Sequence, residues 1–321
     1  MPSSFRMVKL CYYYTRLSCI YQRLKRKNIC DIIGQKRGVF AVKIGLLLEG
    51  GAMRGIYTAG VLDLFMDNNI SFDVITGVSA GTVHGLSYIS GQRGRGIRYF
   101  TKYCGDKRFM SYRSLITTGN YFGVQFGYDE IPNRLDPFDN DAFDNNPTQF
   151  YATTTDLLTG APYYAKLDTL RGENMKYVQA SASMPLVSKI VTVNNKQLLD
   201  GGIADSIPID FMLSLGCDKI VAVLTRPKGY QKRSTTLLPY KLFYGNYPNF
   251  VTAMANRADN YNQSVKKIES LERQGKALVI RPTINYKISR TEKDPNKLRM
   301  QYNLGYSDAS ALLEDIKKYI T

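Results

Sequence analysis

The chain has 321 residues, enough for one large domain or a domain and a half with an ample core. It holds no run of about 18 apolar residues, so no membrane-spanning helix is predicted, and residues 1–42 lack the apolar segment and cleavage site of a secretory signal. Its 5 cysteines form no CxxC pair, which favours reduced thiols over a disulfide framework or a zinc site. We therefore expect a cytoplasmic protein that is either free in the cytoplasm or associated peripherally with a membrane. No metal or cofactor is expected.

The formal charge of +16 is concentrated at the beginning of the chain. Residues 1–43 hold ten Lys and Arg residues against one acid, Asp31, with four tyrosines among them. Because a charge run is usually solvated, residues 1–42 are predicted to be a basic extension, disordered or dispensable. Contact with an anionic bilayer is the alternative. Nonspecific nucleic-acid binding is disfavoured, since no nucleic-acid fold motif accompanies the charge.

The first predicted strand, residues 43–48, leads into a glycine-rich segment. That segment, Glu49 to Gly55, reads EGGAMRG and is followed by apolar residues at helical spacing, namely Tyr57, Val61, Leu64 and Phe65. Backbone N–H groups in such a loop at a helix N-terminus point outward and stabilise developing negative charge. The segment therefore predicts donors for an oxyanion.

A second strand and helix enclose a GxSxG sequence. Residues 72–76 (FDVIT) form a short β-type run, Gly77 to Gly81 read GVSAG, and residues 80–90 follow with helical spacing. Strand, tight turn and helix is the geometry that presents a strained nucleophile, here Ser79, at the carboxyl end of a sheet. Gly77 and Gly81 suit the close approach of strand and helix. The alternative is an ordinary loop whose serine caps the helix.

The only histidine in the chain, His84, lies five residues after Ser79. On a helix that begins at Ser79 it points about 140° away from the nucleophile, so it is predicted to be a packing residue. A Ser, Asp, His triad in the order of the α/β-hydrolases needs a histidine far downstream, and none exists. A carboxylate is therefore the simplest base for the serine proton.

A second basic stretch, residues 92–113, follows the nucleophile helix. It carries seven Lys and Arg residues against Asp106 alone, with five aromatic residues interleaved. An amphipathic helix with a solvated basic face is the favoured interpretation. Contact with anionic lipid headgroups is the alternative, since each cation near a membrane surface contributes about 1 kcal/mol.

The rest of the chain alternates strands and helices. The predicted elements are a hairpin of residues 149–155 and 162–166, a helix from 174 broken at Pro185, a helix over 208–215, strands at 219–224 and 277–280, a helical stripe from 254 to 268, and a terminal helix from 309 to 320. This alternation predicts an α/β fold of layers with a mainly parallel sheet. Asp200-Gly201-Gly202 follows an apolar run; it offers a carboxylate, although Asp-Gly is also a common type I′ turn.

Taken together, the three glycine segments resemble those of the patatin-like phospholipases, serine acyl hydrolases that use a Ser-Asp dyad. The family's GGGxRG corresponds to residues 50–55, its GxSxG to residues 77–81, and its DG[GA] to residues 200–202. The resemblance covers residues 43–225, and residues 226–321 look like the extra helical C-terminal part of bacterial members. It implies a three-layer α/β/α fold and the domain division 1–42, 43–225 and 226–321. Ala52 departs from the usual third glycine; because alanine disfavours positive φ, ordinary dihedral angles are expected there.

The resemblance also implies roles for individual residues. Asp200 would take the proton of Ser79, and the N–H groups around Gly50, Gly51 and Ala52 would hold the oxyanion. The supporting motif residues are Arg54, Gly55, Gly77, Gly81, Gly201 and Gly202. An aspartate of ordinary pKa is a weak base, so we expect partial desolvation to raise the pKa of Asp200. Arg54 would either meet a phosphate headgroup or anchor its loop by hydrogen bonds, and anchoring is favoured because it needs no ligand.

The substrate implied by the resemblance is a lipid or other acyl ester: phospholipid, lysophospholipid and neutral acylglycerol all remain open. Two other functions remain open as well. Gly50, Ala52 and Gly55 fit a relaxed dinucleotide fingerprint with Asp73 near the distance of a ribose-binding acid, although Asp73 starts its strand. A lipid-binding relative without catalysis is the other, and the intact Ser79 and Asp200 argue against it.

Overall fold

A computed structural model describes residues 42–321 of the chain. The basic extension predicted for residues 1–42 therefore lies outside the described residues, apart from Val42. Residues 43–321 form one compact unit. The predicted division of this unit after residue 225 remains a prediction.

An eight-stranded mixed sheet forms the centre of the unit. Its strands are β1 (Ile44–Leu48), β2 (Val74–Val78), β3 (Gln149–Asp156), β4 (Pro162–Lys166), β5 (Val191–Val193), β6 (Lys196–Asp200), β7 (Lys219–Val223) and β8 (Ala277–Ile280). The order is β5-β6-β3-β2-β1-β7-β8, and β4 pairs with β3 outside this path. The five strands from β3 to β8 in this order run parallel, whereas β4 and β6 are antiparallel to β3 and β5 is antiparallel to β6.

Eleven α-helices of the described chain surround the sheet. They are α1 (Ile56–Asp67), α2 (Ala80–Ile89), α3 (Arg95–Tyr103), α4 (Tyr112–Thr118), α5 (Asn140–Asp144), α6 (Met175–Ser181), α7 (Ile209–Ser214), α8 (Leu238–Phe243), α9 (Pro248–Arg273), α10 (Pro295–Ala311) and α11 (Leu313–Ile320). Short 3-10 turns lie at Ala52–Gly55 and Gly172–Asn174, and a π-helical segment covers Phe126–Leu135.

Helices cover both faces of the sheet. Side chains of a strand alternate between the two faces, so the apolar strand β1 presents leucines to both. Leu46 and Leu48 of β1 join one apolar core with residues of α1, α2, α10 and α11. Leu47 faces the opposite core, which contains residues of α7 and α9. The strand IGLLL is therefore buried on both sides, as parallel strands usually are. The predicted three-layer α/β/α fold with a mainly parallel sheet is confirmed.

The C-terminal third contributes to this same core. β8 extends the sheet beside β7, and α10 crosses α1 closely enough that glycines are required at the contact. A Cβ on Gly305 would lie 2.0 Å from the carbonyl oxygen of Tyr57, and one on Gly60 would lie 2.1 Å from that of Tyr302. The hydroxyl of Tyr57 also donates to Asp308 at 3.0 Å. Close backbone packing thus joins α10 to α1, the helix that follows β1.

Two predicted helices have different bounds in the structure. The predicted terminal helix is the end of α10 and all of α11, since the helix breaks at Leu312. The helix predicted from residue 174 ends at Ser181, already before Pro185. The predicted strands at 43–48, 149–155, 162–166, 219–224 and 277–280 are confirmed within one or two residues.

The second basic stretch forms α3 and its flanks, and Arg93, Arg95 and Arg98 are paired with acids of the protein. Arg93 contacts Asp67 at 2.6 Å, and Arg98 contacts Asp136 at 3.1 Å. Arg95 is only 5% exposed and lies against the same Asp136. Four of the interleaved aromatic side chains, Tyr99, Phe100, Tyr103 and Phe109, are buried. The predicted amphipathic helix is confirmed, but the predicted solvated basic face is wrong at Arg95, whose guanidinium is buried and whose pKa is lowered chiefly by desolvation.

Candidate active site

The GxSxG segment forms a strained turn between β2 and α2. Ser79 has φ 54° and ψ −119°, a conformation that costs a non-glycine residue about 1–3 kcal/mol. A Cβ on Gly77 would lie 2.5 Å from Cα of Thr82, and one on Gly81 would lie 2.4 Å from the carbonyl oxygen of Leu48. Ser79 makes no side-chain capping hydrogen bond, so the interpretation as a capping serine is wrong. The strained turn instead places Ser79 at the carboxyl edge of the sheet, between β2 and α2.

The main chain of this turn is held by a neighbouring helix. Ser79 N–H donates to Oγ of Ser181, at the end of α6, at 2.9 Å. The same oxygen lies 2.9 Å from Oγ1 of Thr82 in the first turn of α2. Both contacts are buried, and they fix the direction of the Ser79 side chain without using its hydroxyl. The strained backbone conformation of Ser79 is thus held by hydrogen bonds that involve α2 and α6.

The pairing of the strands brings Asp200 level with Ser79. Val78 pairs with Thr153 of β3, so Ser79 follows at the level of Thr154. Thr154 pairs with Asp200, the last residue of β6. The two candidate residues therefore face each other across a single strand, although 121 positions separate them in the sequence.

The backbone around Asp200 is held on both sides. Its N–H donates to the carbonyl of Ser183 at 2.9 Å, and its carbonyl accepts from Oγ1 of Thr155 at 2.8 Å. No strand returns along β6 after Gly201; the chain leads into α7. The type I′ interpretation of Asp200-Gly201 is therefore wrong. A hairpin turn with two left-handed residues occurs earlier, where Asn194 (φ 46°) and Asn195 (φ 60°) join β5 to β6.

Burial raises the pKa of Asp200 above its ordinary value. Two neighbours oppose this shift: the N–H of Gly202, which donates to Oδ1 at 2.7 Å, and the charge of Arg257. Desolvation therefore makes this carboxylate a stronger base, in the direction that the sequence predicted.

The glycine-rich segment closes over Ser79 from the end of β1. A Cβ on Gly50 would lie 3.0 Å from Cβ of Ser79 and 2.9 Å from the carbonyl oxygen of Val78. Within residues 42–321, the amides of Gly50, Gly51 and Ala52 donate to no backbone or side-chain acceptor. Three adjacent N–H groups of the loop beside Ser79 therefore have no acceptor among the described residues.

The expectation of ordinary dihedral angles at Ala52 is wrong. Ala52 has φ 50°, in the left-handed region that glycine adopts without strain. The loop retains the conformation of a third glycine although the residue has a Cβ, at a cost of about 1–2 kcal/mol. The 3-10 turn over Ala52–Gly55 and the N–H of Arg54, which donates to the carbonyl of Gly51 at 3.2 Å, hold that shape.

Glu49 joins the loop to the neighbouring strand. Its N–H donates to Val223 at 3.0 Å, and Oε2 accepts from the N–H of Thr225 at 2.6 Å. Oγ1 of Thr225 donates to the carbonyl of Gly50 at 2.9 Å. These contacts hold the glycine-rich segment, residues 49–55, which we call the oxyanion loop, against the end of β7.

Arg54 does not anchor the loop through its side chain, so that favoured interpretation is wrong. Its guanidinium makes no hydrogen bond or ion pair with residues 42–321, and Nε is buried without a partner. Burial, together with the charges of Arg226 and Arg290, lowers the pKa of Arg54 to about 10. The guanidinium lines the cavity beside Ser79, where it faces other cations rather than a carbonyl.

His84 is a packing residue, as predicted. It is 1% exposed, and its ring lies 4.9 Å from that of Phe100 between ring centroids. Neither ring nitrogen has a hydrogen-bond partner among the described residues. Burial, and then the charge of Arg95, lowers the pKa of His84 to about 3. An imidazole that is neutral and enclosed in this way takes no proton from Ser79.

Two cavities meet at Ser79. The larger, about 390 Å³, lies between the oxyanion loop, Asp200 and segments that follow β7. The smaller, about 90 Å³, lies on the other side of Ser79 and has an apolar, aromatic lining that includes Phe100, Phe109 and Tyr128. The nucleophile thus stands between a polar and an apolar space.

Four cationic side chains of the larger cavity were missed by sequence reasoning. Arg226, Lys232, Arg257 and Arg290 line it together with Arg54. They come from a stretch of 65 positions without a local motif, so only the fold brings them together. Their one sequence signal is the position of Arg226, directly after the carboxyl end of the predicted strand at 219–224.

The dinucleotide interpretation lacks its ribose-binding acid. Asp73 lies before the beginning of β2, at the sheet edge opposite to Gly50, where it accepts the N–H of Ile44 at 2.7 Å. Over residues 42–321, no group of three or more His, Cys, Asp or Glu side chains is arranged to hold a metal ion. None of the helices described here has the length and apolar character needed to cross a bilayer.

Comparison with known proteins identifies the family. The profile of the patatin-like phospholipases matches residues 46–213, just over half of the chain. The chain belongs to the patatin-like phospholipase family. A domain of unknown function (DUF6363) matches residues 247–321.

Curated relatives cover this chain unevenly. The uncharacterized protein YjjU of Escherichia coli K12 is 29% identical over 191 residues, which are 58% of this chain and 52% of YjjU. Lysophospholipase nte1 of Aspergillus oryzae is 26% identical over 299 residues, which are 85% of this chain and 18% of that protein. The chain thus spans about half of the first relative and less than a fifth of the second. Among solved structures, VipD from Legionella pneumophila gives a TM-score of 0.42 at 12% identity, covering 86% of this chain and 67% of VipD.

Proposed function

We propose that this chain is a lipid acyl hydrolase that cleaves carboxylic esters through an acyl-serine intermediate. One observation carries the proposal: the strained Ser79 lies between a buried carboxylate and three free amides, at the junction of two cavities. The family and the lysophospholipase relatives support the same class of reaction.

In the first step, Oγ of Ser79 attacks the ester carbonyl and its proton passes to Asp200. The carbonyl oxygen becomes an oxyanion, which accepts from the amides of Gly50, Gly51 and Ala52. The bond to the alcohol then breaks, and the alcohol leaves with the proton held by Asp200. A water molecule then attacks the acyl-serine while Asp200 takes one of its protons. The bond between the acyl carbon and Oγ breaks, Asp200 returns the proton to Oγ, and fatty acid and free Ser79 result.

The small apolar cavity supplies a site for the beginning of the acyl chain. Its lining combines Met53, Val83 and several aromatic rings, surfaces that favour methylene groups over water. Ser79 and Ala52 line this cavity as well as the larger one. We therefore place the acyl chain in the small cavity and the alcohol in the larger one.

We place contact with a membrane at the mouth of the larger cavity rather than at the second basic stretch. Tyr112 of α4 and Tyr240 of α8 line that cavity. The same two helices expose large apolar side chains: Tyr112 is 74% exposed, Ile116 84% and Phe243 76%. We propose that these helices meet the lipid surface from which the substrate is drawn; a cytoplasmic location remains a prediction.

The test is hydrolysis by the purified full chain. We expect release of fatty acid from a long-chain lysophospholipid and of nitrophenol from a short-chain p-nitrophenyl ester, and loss of both in Ser79→Ala. A folded protein that hydrolyses neither ester would contradict the proposal and favour a lipid-binding relative. Bound nicotinamide or flavin in the same preparation would favour a dinucleotide-binding protein.

A further inference from the structure

We propose that the larger cavity binds the phosphate of the alcohol part of the substrate, and that the enzyme therefore prefers anionic lysophospholipids to zwitterionic choline esters. This inference rests on the proposed function and specifies its substrate class. The cavity's cationic cluster, defined as Arg54, Arg226, Lys232, Arg257 and Arg290, carries it.

The four arginines and Lys232 line one cavity, and their charges act on one another. Burial, with the charges of Arg257 and Arg290, lowers the pKa of Lys232 to about 6. Arg226 and Arg290 act in the same direction on Arg54. Burying like charges together is unfavourable unless an anion binds between them. Phosphate is an anion that arginine and lysine commonly bind.

Carboxylates of the described residues form no ion pair with this cluster. Fifteen ion pairs occur within residues 42–321, and none includes a member of the cluster. The acids that line the cavity are Glu49 and Asp200. Glu49 already accepts from Thr225, and Asp200 is desolvated with a raised pKa. The cavity therefore has an excess of positive charge beside the nucleophile.

The position of the cluster assigns it to the alcohol rather than to the acyl chain. An ester carbonyl at Ser79 has its acyl chain on one side and its alcohol oxygen on the other. The apolar cavity takes the first, so the second enters the cationic space. In a glycerophospholipid the phosphate follows the ester within a few bonds, which places it inside this cavity.

The positive charge of the cavity disfavours a choline headgroup. Quaternary ammonium groups are recognised by aromatic faces or by carboxylates. The face of Tyr261 is covered by Lys232, whose Nζ lies 3.9 Å from the ring centroid, and that of Tyr230 by Arg226 at 4.3 Å. Two of the five tyrosine rings that line the cavity are thus already in contact with Arg226 and Lys232, and the excess positive charge of the cavity would repel a further cation.

The experiment compares three substrates in three proteins. The substrates are lysophosphatidylglycerol, lysophosphatidylcholine with the same acyl chain, and uncharged p-nitrophenyl butyrate. The proteins are wild type, the double variant Arg226→Gln/Arg290→Gln, and the control Arg273→Gln/Lys276→Gln, which removes the same charge from exposed residues at the opposite edge of the sheet. Arg257 is left intact because it donates to the carbonyl of Gly202 at 2.6 Å, next to Asp200.

We expect wild type to have a kcat/KM at least about tenfold higher for the phosphatidylglycerol analogue than for the choline ester, since hydrogen bonds to a charged group contribute on this scale. The cluster variant should lose about that ratio and still hydrolyse the butyrate, which shows that it remains a folded and active enzyme. The control should keep the ratio. Equal kcat/KM values for the two lipids in wild type, or an unchanged ratio in the cluster variant, would overturn the inference.

Calorimetry with Ser79→Ala separates this inference from the proposed function, because it needs no turnover. We expect that variant to bind lysophosphatidylglycerol, and to bind it about tenfold more weakly when Arg226→Gln/Arg290→Gln is added. If inorganic phosphate bound equally well while the lipid did not compete for it, the site would be one for free phosphate and the headgroup assignment would be wrong. If the lipid bound but the wild-type protein hydrolysed no ester, the phosphate-binding site would be supported and the proposed hydrolase activity would be contradicted.

Discussion

Burial of a neutral His84 predicts a specific loss of stability in acid. In the native state its pKa is lowered from the ordinary 6.5 to about 3, chiefly by desolvation. Between those values the unfolded chain takes up a proton that the native protein does not, so stability falls as the pH falls. A shift of this size corresponds to a total of about 5 kcal/mol, of which about 2 kcal/mol is lost by pH 5.

The assay is urea unfolding of wild type and His84→Gln near pH 7.5 and near pH 5. Other groups with shifted pKa values, such as Asp63 and Asp205, titrate in both proteins and cancel in the comparison. Wild type should lose about 2 kcal/mol more than the variant over this interval. An equal loss in the two proteins would refute the buried neutral imidazole, and a turnover as low as that of Ser79→Ala in folded His84→Gln would restore histidine as the base.

Three further variants test the loop and the core. Gly50→Ala should lower kcat/KM about a hundredfold with little change in melting temperature, because its Cβ would press on Val78 and Ser79 at about 3 Å and displace the oxyanion donors. Ala52→Gly should keep activity and raise the free energy of unfolding by up to about 1 kcal/mol, measured in urea, by relieving the positive φ; a loss of stability would contradict the strain. Gly305→Ala should cost about 3 kcal/mol or more by separating α10 from α1, whereas Gly105→Ala, with no atom within 4 Å of its Cβ, should change stability little in thermal unfolding.

The sequence was most informative where one short segment determines its own geometry. Gly77 and Gly81 predicted an elbow because a close approach of strand and helix can be inferred from five consecutive residues. His84 could be placed away from Ser79 by helical rotation alone. The strands were predictable for the same reason: runs such as residues 44–48 are apolar on both faces and bounded by turn residues.

Features that depend on distant pairing could not be derived in this way. The position of Asp200 beside Ser79 follows from strand register rather than from any local pattern. Val78 pairs with Thr153, and the next residue of β3, Thr154, pairs with Asp200. The left-handed Ala52 was missed because surrounding contacts override an intrinsic preference of about 1–2 kcal/mol. The cationic cluster is assembled from separate segments, so its members looked like ordinary surface charges in the sequence.

The central claim is that Asp200 activates Ser79 as a nucleophile, and the rate of serine labelling by a fluorophosphonate tests it most directly. The control is Asp205→Asn, since Asp205 is also a carboxyl whose pKa burial raises, and it does not line the larger cavity. We predict an adduct on Ser79 by peptide mass mapping, labelling about a thousandfold slower in folded Asp200→Asn, and a nearly normal rate in Asp205→Asn. An adduct on another residue, or labelling of Asp200→Asn at the rate of wild type, would contradict the account.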